Sequence, residues 1–284
     1  MSKEGSHFSA DWLTLREPVD HRSRAAELMA PLRRHLLARG RRPVSIVDLG
    51  AGAGSNQRYL SAHLGVPAHW TLLDQDVALL ARAESSGWAG AALTTEAFDL
   101  SAPLAPVLKD ADLVTASALL DLVSGDWIQS LCRACASAQA AVLMALTVDG
   151  RVAFGDEDPL DAQVMRWVGQ DQRREKGLGV ALGAGASGCL KHALNAQGYC
   201  VLEQASDWVL SAADAPLARA LIEGWCEAAR RQCPQESAAI MGWAARRSRA
   251  VADGGVSIRV GHVDVLGLLP YPEGGLDYAR KFRS

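Results

Sequence analysis

A strand-like apolar run that ends in closely spaced glycines is the feature that most constrains this chain. Residues 46–56 read IVDLGAGAGSN, so Gly50, Gly52 and Gly54 stand at alternate positions after the run, and Asp48 precedes the first of them. Glycine adopts left-handed backbone angles readily and lets a ligand approach the main chain closely. In open α/β sheets, a turn of this kind between a strand and a helix holds a nucleotide or a related cofactor. The segment therefore predicts a cofactor-binding strand–turn–helix unit.

The residues of the turn distinguish between the possible ligands. A phosphate-binding P-loop places a lysine at the end of its glycine turn, and this segment has no lysine. A dinucleotide-binding turn has a third glycine at the position that Ser55 occupies here. The acid at Asp48, two residues before the first glycine, would also lie close to a pyrophosphate and repel it. The turn therefore favours a positively charged nucleoside cofactor over a dinucleotide.

The segment DLGAGAG resembles the first motif of the class I S-adenosylmethionine-dependent methyltransferases, and later residues extend that resemblance. Asp74 ends the second predicted strand, where an acid binds ribose hydroxyls in the dinucleotide fold and, by the resemblance, in these methyltransferases. Asp99 follows the third predicted strand, where family members commonly bind the adenine amino group. Ser117 ends the fourth predicted strand, a position that in such folds faces the reacting methyl group. The resemblance is good over residues 44–150 and loose in the final strands. It implies S-adenosyl-L-methionine as cofactor, bound by Asp48, Gly50, Gly52, Gly54, Asp74, Asp99 and Ser117. Any one of the acids could instead be a helix cap or turn residue.

Short apolar strands alternate with helical segments along most of the chain. Alternation of this kind indicates a parallel sheet covered by helices. We predict an α/β fold with a Rossmann-like, mostly parallel seven-stranded sheet, helices on both faces, an N-terminal helical segment and a helical insertion before the last strand. The predicted strands lie in PVSIVDLG, AHWTLLDQD, AALTTEAFDL, ADLVTASALL, AAVLMALTV, YCVLEQASDWVL and VSIRVGHVDVLGLLP.

Two helical regions lie outside this alternation. Residues 1–43 are predicted to form an N-terminal helical segment, and residues 44–284 the Rossmann-like domain, with the helical insertion near 209–253. In the resembled fold such segments commonly close over the substrate, so we expect the first of them to act as a lid. Trp12 and Arg16 are weak candidates for substrate contact; a surface aromatic residue and a solvated ion pair are the alternative.

Methyl transfer from a sulfonium needs no acid at the leaving group, because the departing thioether is neutral. The enzyme must align the acceptor atom with the methyl group and, where needed, accept its proton. Asp121, just beyond the fourth predicted strand, is the first candidate base, unless it caps the helix that starts near 124–126. Asp149, at the predicted end of the fifth strand, is the second, although Asp-Gly is also an ordinary turn. His192 and His262 fall inside a predicted helix and a predicted strand, and we expect packed histidines there.

The possible classes of methyl acceptor are limited mainly by motifs that this sequence does not contain. After the fourth strand, enzymes that methylate amines of DNA bases usually carry an Asn/Asp-Pro-Pro-aromatic motif, and enzymes that methylate cytosine C5 carry a Pro-Cys pair. In this chain the corresponding segment reads ASALLDLVS and contains neither motif. We predict methyl transfer to an oxygen or nitrogen of a small-molecule metabolite. An RNA or protein methyltransferase and a non-catalytic cofactor-binding protein are alternatives. A dehydrogenase ranks after these. The glycine-rich loop 177–188 either orders around the substrate or is a connector.

Composition and cysteine spacing argue against several other classes. The chain of 284 residues has a net charge of −3, which gives no general attraction to nucleic acid or membranes. No stretch reaches the ~20 apolar residues of a membrane span, and the segment MSKEGSHFSADW lacks the apolar core of a signal peptide. Cys132 and Cys135 lie on one predicted helix with no second pair, so we expect packing and no metal site. We expect a cytoplasmic protein with a small-molecule partner and without a nucleic-acid or membrane partner. The sequence leaves the oligomeric state open.

Overall fold

A mostly parallel sheet organises the chain in the computed structural model, which describes residues 9–40, 43–86, 92–254 and 257–270. Within these residues the strand order is β3-β2-β1-β4-β5-β8-β6, and β7 pairs with β8 beside this path. The strands are β1 Val44–Leu49, β2 Ala68–Asp74, β3 Ala92–Ala97, β4 Leu113–Ser117, β5 Ala141–Phe154, β6 Cys200–Ala205, β7 Trp208–Leu210 and β8 Ile258–Leu268. This architecture confirms the predicted Rossmann-like fold.

Strand direction determines where a ligand can bind. Strands β1 to β5 pair in parallel, whereas β8 runs antiparallel to β5, β6 and β7. The chain order reverses between β1 and β4, since β2 and β3 lie on one side of β1 while β4 and β5 lie on the other. In open α/β sheets such a reversal leaves a crevice at the carboxyl ends of the two strands. The glycine turn follows β1 at this crevice.

Helices cover both faces of the sheet. On one face, Val47 and Leu49 share a core with α5, α6 and α8; on the other, Val44 and Ile46 share a core with α2, α3 and α4. Alternate residues of a strand point to opposite faces, so one buried strand supplies both cores. The helices are α1 Ala10–Ser23, α2 Met29–Ala38, α3 Ser55–Leu64, α4 Val77–Ser85, α5 Ala105–Leu108, α6 Gly125–Ser137, α7 Asp161–Gln172, α8 Ala186–Ala196, α9 Ala215–Gln232 and α10 Ser237–Ala252.

A third core joins segments that are far apart in the sequence. Val19 of α1 belongs to it together with Val164 of α7, Ile222 of α9 and Trp243 of α10. These helices pack around the parts of β5 and β8 that extend past the parallel sheet, and β7 joins them there. The N-terminal helix and the helical insertion therefore meet at the end of the sheet that carries the glycine turn.

Two predicted strands differ from the observed ones. The segment YCVLEQASDWVL forms two strands, β6 and β7, so the sheet has eight strands in the described residues where seven were predicted. At the break between them, the Ser206 amide donates to the His262 carbonyl, and the Asp207 carboxylate accepts from the His262 amide. Strand β5 continues to Phe154, past its predicted end at Val148. Its register relative to β8 shifts near Gly150, which has a φ of 86°, and its pairing with β8 resumes beyond this irregularity.

The cysteine pair behaves as predicted by its helical spacing. Cys132 and Cys135 are buried on α6 within a sheet–helix core. Burial raises the pKa of the Cys132 thiol to about 12, so it is protonated at neutral pH. Among the residues that the structure describes, no group of three histidine, cysteine or acidic side chains is arranged to hold a metal ion.

Helix length and apolarity bear on membrane insertion. Within the described ranges, none of the helices combines the length and the apolar surface that crossing a bilayer requires.

Candidate functional site

A cavity of about 240 Å³ opens beside the glycine turn, and we call it the glycine-turn cavity. Backbone and side chains at the carboxyl ends of β1 to β4 supply much of its wall. The predicted cofactor residues among its lining are Gly50, Gly52, Asp74, Asp99 and Ser117. The structure therefore brings together most of the residues that the resemblance selected, although their segments span 68 positions of the chain.

The turn itself needs glycine for two separate reasons. Gly50 and Gly54 have φ angles of 61° and 81°, in the left-handed region that side chains disfavour. A Cβ atom at Gly54 would also lie 3.0 Å from the Cβ of Ala83 in α4. Gly54 precedes α3, so the turn leads directly from β1 into that helix.

Asp74 links the turn to the second strand. One carboxylate oxygen accepts a hydrogen bond from the Gly52 amide at 2.7 Å, and the other accepts from the Asp76 amide at 2.9 Å. A carboxylate oxygen has a second lone pair, so both oxygens can accept further hydrogen bonds from a ligand in the cavity. Asp76, and not Asp74, caps α4 with its side chain. Asp74 thus belongs to the turn and also lines the cavity.

Asp99 and Ser117 occupy the far wall of the same cavity. The Asp99 carboxylate accepts a hydrogen bond from the Ser101 amide at 2.8 Å, which orders the loop after β3. Trp127 of α6 donates its indole N–H to the Leu100 carbonyl at 2.8 Å and holds the same loop from behind. Ser117 ends β4 as predicted.

Asp48 lies behind the turn and outside the glycine-turn cavity. It is fully buried, and one carboxylate oxygen accepts from the Asn56 amide nitrogen at 2.8 Å. The other oxygen, Oδ2, has no hydrogen-bond partner among the described residues. Burial raises the pKa of Asp48 to about 7. Asp48 lines an adjoining cavity of about 230 Å³ between α1 and the turn, which we call the α1 cavity.

A larger cavity of about 320 Å³ lies on the other side of the β4 end, and we call it the tryptophan cavity. Its wall includes three tryptophans, from α1, β7 and α9: Trp12, Trp208 and Trp225. It meets the glycine-turn cavity at a junction where four residues line both, namely Arg16, Ala118, Leu122 and Lys176. Two ligands bound in these cavities would therefore approach each other at the end of β4.

The two weak candidates from the N-terminal segment both line the tryptophan cavity. Arg16 forms an ion pair with Asp20 at 2.8 Å, and Asp20 also accepts from the Trp208 indole N–H at 3.0 Å. The Arg16 guanidinium lies 5.1 Å from the centroid of the Trp208 ring, and the Trp12 ring lies 6.5 Å from it. Helix α1 is thereby held against β7 as one wall of the cavity.

Asp121 lines the tryptophan cavity, within a short 3₁₀ turn after β4. The alternative of a helix cap does not apply, because Ser124 caps α6. Burial raises the pKa of Asp121, and the Lys176 ammonium opposes that shift. Lys176 has a pKa lowered by burial and lies at the junction of the two cavities.

Asp149 is not where the sequence places it. It lies inside β5, not at the end of that strand, because β5 continues through the irregularity at Gly150. Its carboxylate accepts from the Arg151 backbone at 2.9 Å and from the Arg151 guanidinium at 2.7 Å. Asp149 does not line any of the three cavities. The structure therefore does not bring it to Asp121.

The sequence predicts His262 only as a packed histidine and not as a site residue. It is buried as expected, with 3% of its surface exposed, yet it lines the tryptophan cavity. Its ring lies 5.1 Å from the Trp208 ring. No local pattern indicates this, because the wall that His262 faces depends on how β8 pairs with β5 and β7. His192, by contrast, is exposed on α8.

The glycine-rich loop lies between the two cavities. Gly177 and Leu178 line the glycine-turn cavity, whereas Leu182 and Gly185 line the tryptophan cavity. The residues just before the loop, Arg173 and Lys176, contribute cations to the tryptophan cavity. The loop thus contacts both spaces.

Comparison with known proteins gives matches to solved structures alone. No protein-family model matches the chain, and no curated protein does. A cyclopropane-fatty-acyl-phospholipid synthase-like protein from Lactobacillus casei is 14% identical with a TM-score of 0.48, over 89% of this chain and 99% of that one. A cyclopropane synthase from Mycobacterium tuberculosis is 10% identical with a TM-score of 0.44, over 84% and 83%. A phosphoethanolamine N-methyltransferase from Haemonchus contortus is 15% identical with a TM-score of 0.38, over 84% of this chain and 52% of that one.

Proposed function

We propose that this chain transfers a methyl group from S-adenosylmethionine to an oxygen or nitrogen of a small molecule. The observation that carries the proposal is the junction of two cavities at the end of β4. One is built around a glycine turn with acids after β2 and β3, and the other is lined by tryptophans and ionisable groups. Group transfer requires two ligands to meet in this way.

The glycine-turn cavity suits the adenosine part of the donor. Glycines let a ligand approach the backbone at the turn, and the Asp74 carboxylate retains lone pairs for ribose hydroxyls. Asp99, in the loop after β3, is placed to accept from the adenine amino group. These assignments come from the methyltransferase resemblance, and the cavity wall is consistent with them.

The α1 cavity suits the positively charged sulfonium of the donor. Asp48 has a buried oxygen without a hydrogen-bond partner in the described part of the chain, and burial raises its pKa. A nearby positive charge would stabilise the ionised carboxylate. A sulfonium cofactor supplies such a charge, and a neutral or anionic nucleotide does not. Asp48 is therefore a feature of this chain that favours S-adenosylmethionine in particular.

Methyl transfer from a sulfonium requires the protein mainly to align the two ligands. The sulfonium supplies an activated methyl group with a neutral leaving group. The chain's own residues must orient the acceptor, exclude water and receive a proton. Ser117 and the junction residues are placed to align the two ligands, and Asp121 is placed to contact the acceptor.

The tryptophan cavity favours a small acceptor over a macromolecule. Its volume of about 320 Å³ lies within the range of small-molecule sites. Residues from many segments surround it, including α1, β5, α7, α9 and β8. A nucleic-acid or protein acceptor would instead need an extended open groove.

Two measurements test the proposal. Isothermal titration should show binding of S-adenosylmethionine and S-adenosylhomocysteine, and no binding of NAD at the same concentrations. Incubation of the purified protein with methyl-labelled donor and cell extract should place label in the small-molecule fraction. Binding of NAD without binding of S-adenosylhomocysteine would refute the donor assignment. Label confined to RNA or protein would refute the acceptor class.

A further inference from the structure

We infer that the tryptophan cavity binds an aromatic acceptor bearing a hydroxyl group, and that Nε2 of His262 accepts the hydroxyl proton. This inference rests on the proposed function and names its acceptor and its base. Three features of the cavity support it: the state of the histidine ring, the aromatic wall and the charges around the space.

The hydrogen bonding of His262 defines which ring nitrogen is available. Nδ1 lies 2.9 Å from the Val260 carbonyl oxygen. A carbonyl can only accept, so Nδ1 carries the proton and Nε2 of the neutral ring has a free lone pair. No hydrogen bond to Nε2 is found among the described residues, and His262 lines the cavity. A proton-accepting nitrogen is thus held in a fixed orientation in a buried site.

The environment keeps this histidine neutral. Burial lowers the pKa of His262, and the nearby Arg16 guanidinium lowers it further, while Asp20 and Asp149 act in the opposite direction. A neutral imidazole can accept a proton at neutral pH. Asp121 lines the same cavity; burial raises the pKa of its carboxyl group, and the Lys176 ammonium opposes that shift.

The aromatic wall indicates the shape of the acceptor. Trp12 and Trp208 stand 6.5 Å apart at a tilt of 51°, and Trp225 adds a third indole. Aromatic rings pack favourably against one another in tilted and offset arrangements at such distances. The His262 and Trp208 ring centroids lie 5.1 Å apart, so an aromatic ring bound in this cavity would bring its substituent close to the imidazole.

The charges of the wall favour a hydroxyl over an amine. The cavity is lined by four cationic residues, Arg16, Arg151, Arg173 and Lys176. Asp121 is the carboxylate among its lining residues. Arg16 and Arg151 are paired with carboxylates, whereas the Arg173 guanidinium pairs with none in the described ranges. An alkylamine would enter as a cation and be repelled by these groups. A phenol enters neutral, and the same cations stabilise the negative charge that develops on its oxygen.

The proposed step is balanced in atoms and electrons. The hydroxyl oxygen forms a bond to the methyl carbon while the carbon–sulfur bond breaks, and that bonding pair becomes a lone pair on sulfur. The products are an aryl methyl ether and S-adenosylhomocysteine. The hydroxyl proton moves to Nε2 of His262, and the imidazolium then releases it to solvent.

The test compares acceptors and variants in one assay with methyl-labelled donor. Phenol and 4-hydroxybenzoate are the aromatic hydroxyl probes; cyclohexanol and benzylamine are the matched non-phenolic ones. His262→Asn keeps a donor near the Nδ1 position and removes the base, and His262→Gln provides a second variant should the first not fold. His192→Asn, an exposed helical histidine, is the control.

We expect methylation of phenols, a fall in kcat of about 100-fold or more in the His262 variants, and an unchanged rate in the control. S-adenosylhomocysteine affinity should stay the same in all of them. A loss of less than about threefold at His262, with donor affinity intact, would overturn its role as the base. Transfer to cyclohexanol or benzylamine but to no phenol, or transfer to none of the probes by a protein that binds donor, would overturn the acceptor class. Failure to bind S-adenosylhomocysteine at all would instead refute the proposed function.

Discussion

The glycine-turn cavity and the tryptophan cavity lie side by side but are built in different ways. The first is formed mainly by short turns at the ends of adjacent parallel strands, where backbone geometry places Gly52, Asp74 and Asp99. The second is formed by side chains from α1, the far part of β5, the helical insertion and β8. Its residues range from Trp12 to His262 along the chain.

In the proposed reaction, this difference separates donor binding from acceptor binding. A cofactor shared by many enzymes can be bound by local strand–turn–helix units, because each unit places its ligand-binding residue by itself. An acceptor must be recognised by a particular set of side chains, and these can come from any segment that the tertiary structure brings close. Damage to the third core should therefore affect the acceptor side first and leave the donor side bound.

The largest effect is expected at Arg247, which supports the acceptor side. Its guanidinium is 2% exposed, pairs with Asp156 at 2.7 Å and with Asp161, and lies 4.2 Å over the Phe154 ring. Arg247→Met removes the cation from the Asp161 carboxylate, which is 20% exposed, and from Asp156, which is 59% exposed, so urea unfolding should show a loss of about 3 kcal/mol. S-adenosylhomocysteine titration of the folded variant should still show binding.

Arg246→Met is the matched control for that prediction. Arg246 is the neighbouring residue and pairs with Asp158; 53% of the Arg246 side chain and 9% of the Asp158 side chain are exposed. Its replacement should cost less than that of Arg247, since water screens the half-exposed guanidinium. Equal losses in the two variants would mean that the ion pairs of Arg247 do not hold the third core together.

Asp74→Ala should weaken the donor side specifically. The carboxylate holds the Gly52 amide and, in our proposal, the ribose hydroxyls. Losing a hydrogen bond to a charged group costs roughly 1.5–3 kcal/mol, which calorimetry with S-adenosylhomocysteine would detect as a rise in Kd. Asp253→Ala, at an exposed position after α10, is the control. An unchanged Kd would mean that Asp74 stabilises the turn but does not bind the donor.

The pH dependence of donor affinity should reveal the charge on Asp48. Burial raises the pKa of Asp48 to about 7, and it is influenced by Arg24 and Asp74 as well. A sulfonium favours the ionised carboxylate, whose fraction rises with pH, so affinity for S-adenosylmethionine should rise about tenfold from about pH 6 to about pH 8. S-adenosylhomocysteine carries the same amino and carboxyl groups without the sulfonium, so the ratio of the two affinities isolates the effect. Asp48→Asn should make that ratio independent of pH; a ratio that still changed would locate the titrating group elsewhere.

Asp121→Asn should have the smallest of these effects. If Asp121 contacts the acceptor and His262 receives the proton, the variant should raise the acceptor KM by roughly fivefold, as expected for one hydrogen bond of about 1 kcal/mol. Steady-state kinetics with a phenol probe would measure this, with S-adenosylhomocysteine affinity as the internal control. A fall in kcat as large as that expected for His262→Asn would transfer the role of base to Asp121.

The sequence predicted the fold well because the fold is built from repeated local units. The alternation of apolar strands and helices gave the parallel sheet and its two layers of helices, and these are present. The errors occurred where pairing between distant strands decides the outcome. The extension of β5 past Gly150 depends on β8, and so does the division between β6 and β7. The placement of Asp149 at a strand end was wrong for the same reason.

By itself the sequence selected the residues of the proposed donor side, because closely spaced glycines after a strand, an acid at the end of a strand and the chain order of both are local properties. Gly50, Asp74, Asp99 and Ser117, selected by the methyltransferase resemblance, line one cavity. Only the tertiary structure decided which residues line the proposed acceptor cavity. His262 lines a cavity with Trp12 because β8 pairs antiparallel with β5 and α1 packs on β7, and these contacts join residues separated by nearly the whole chain. Such long-range packing leaves no periodic pattern near either residue.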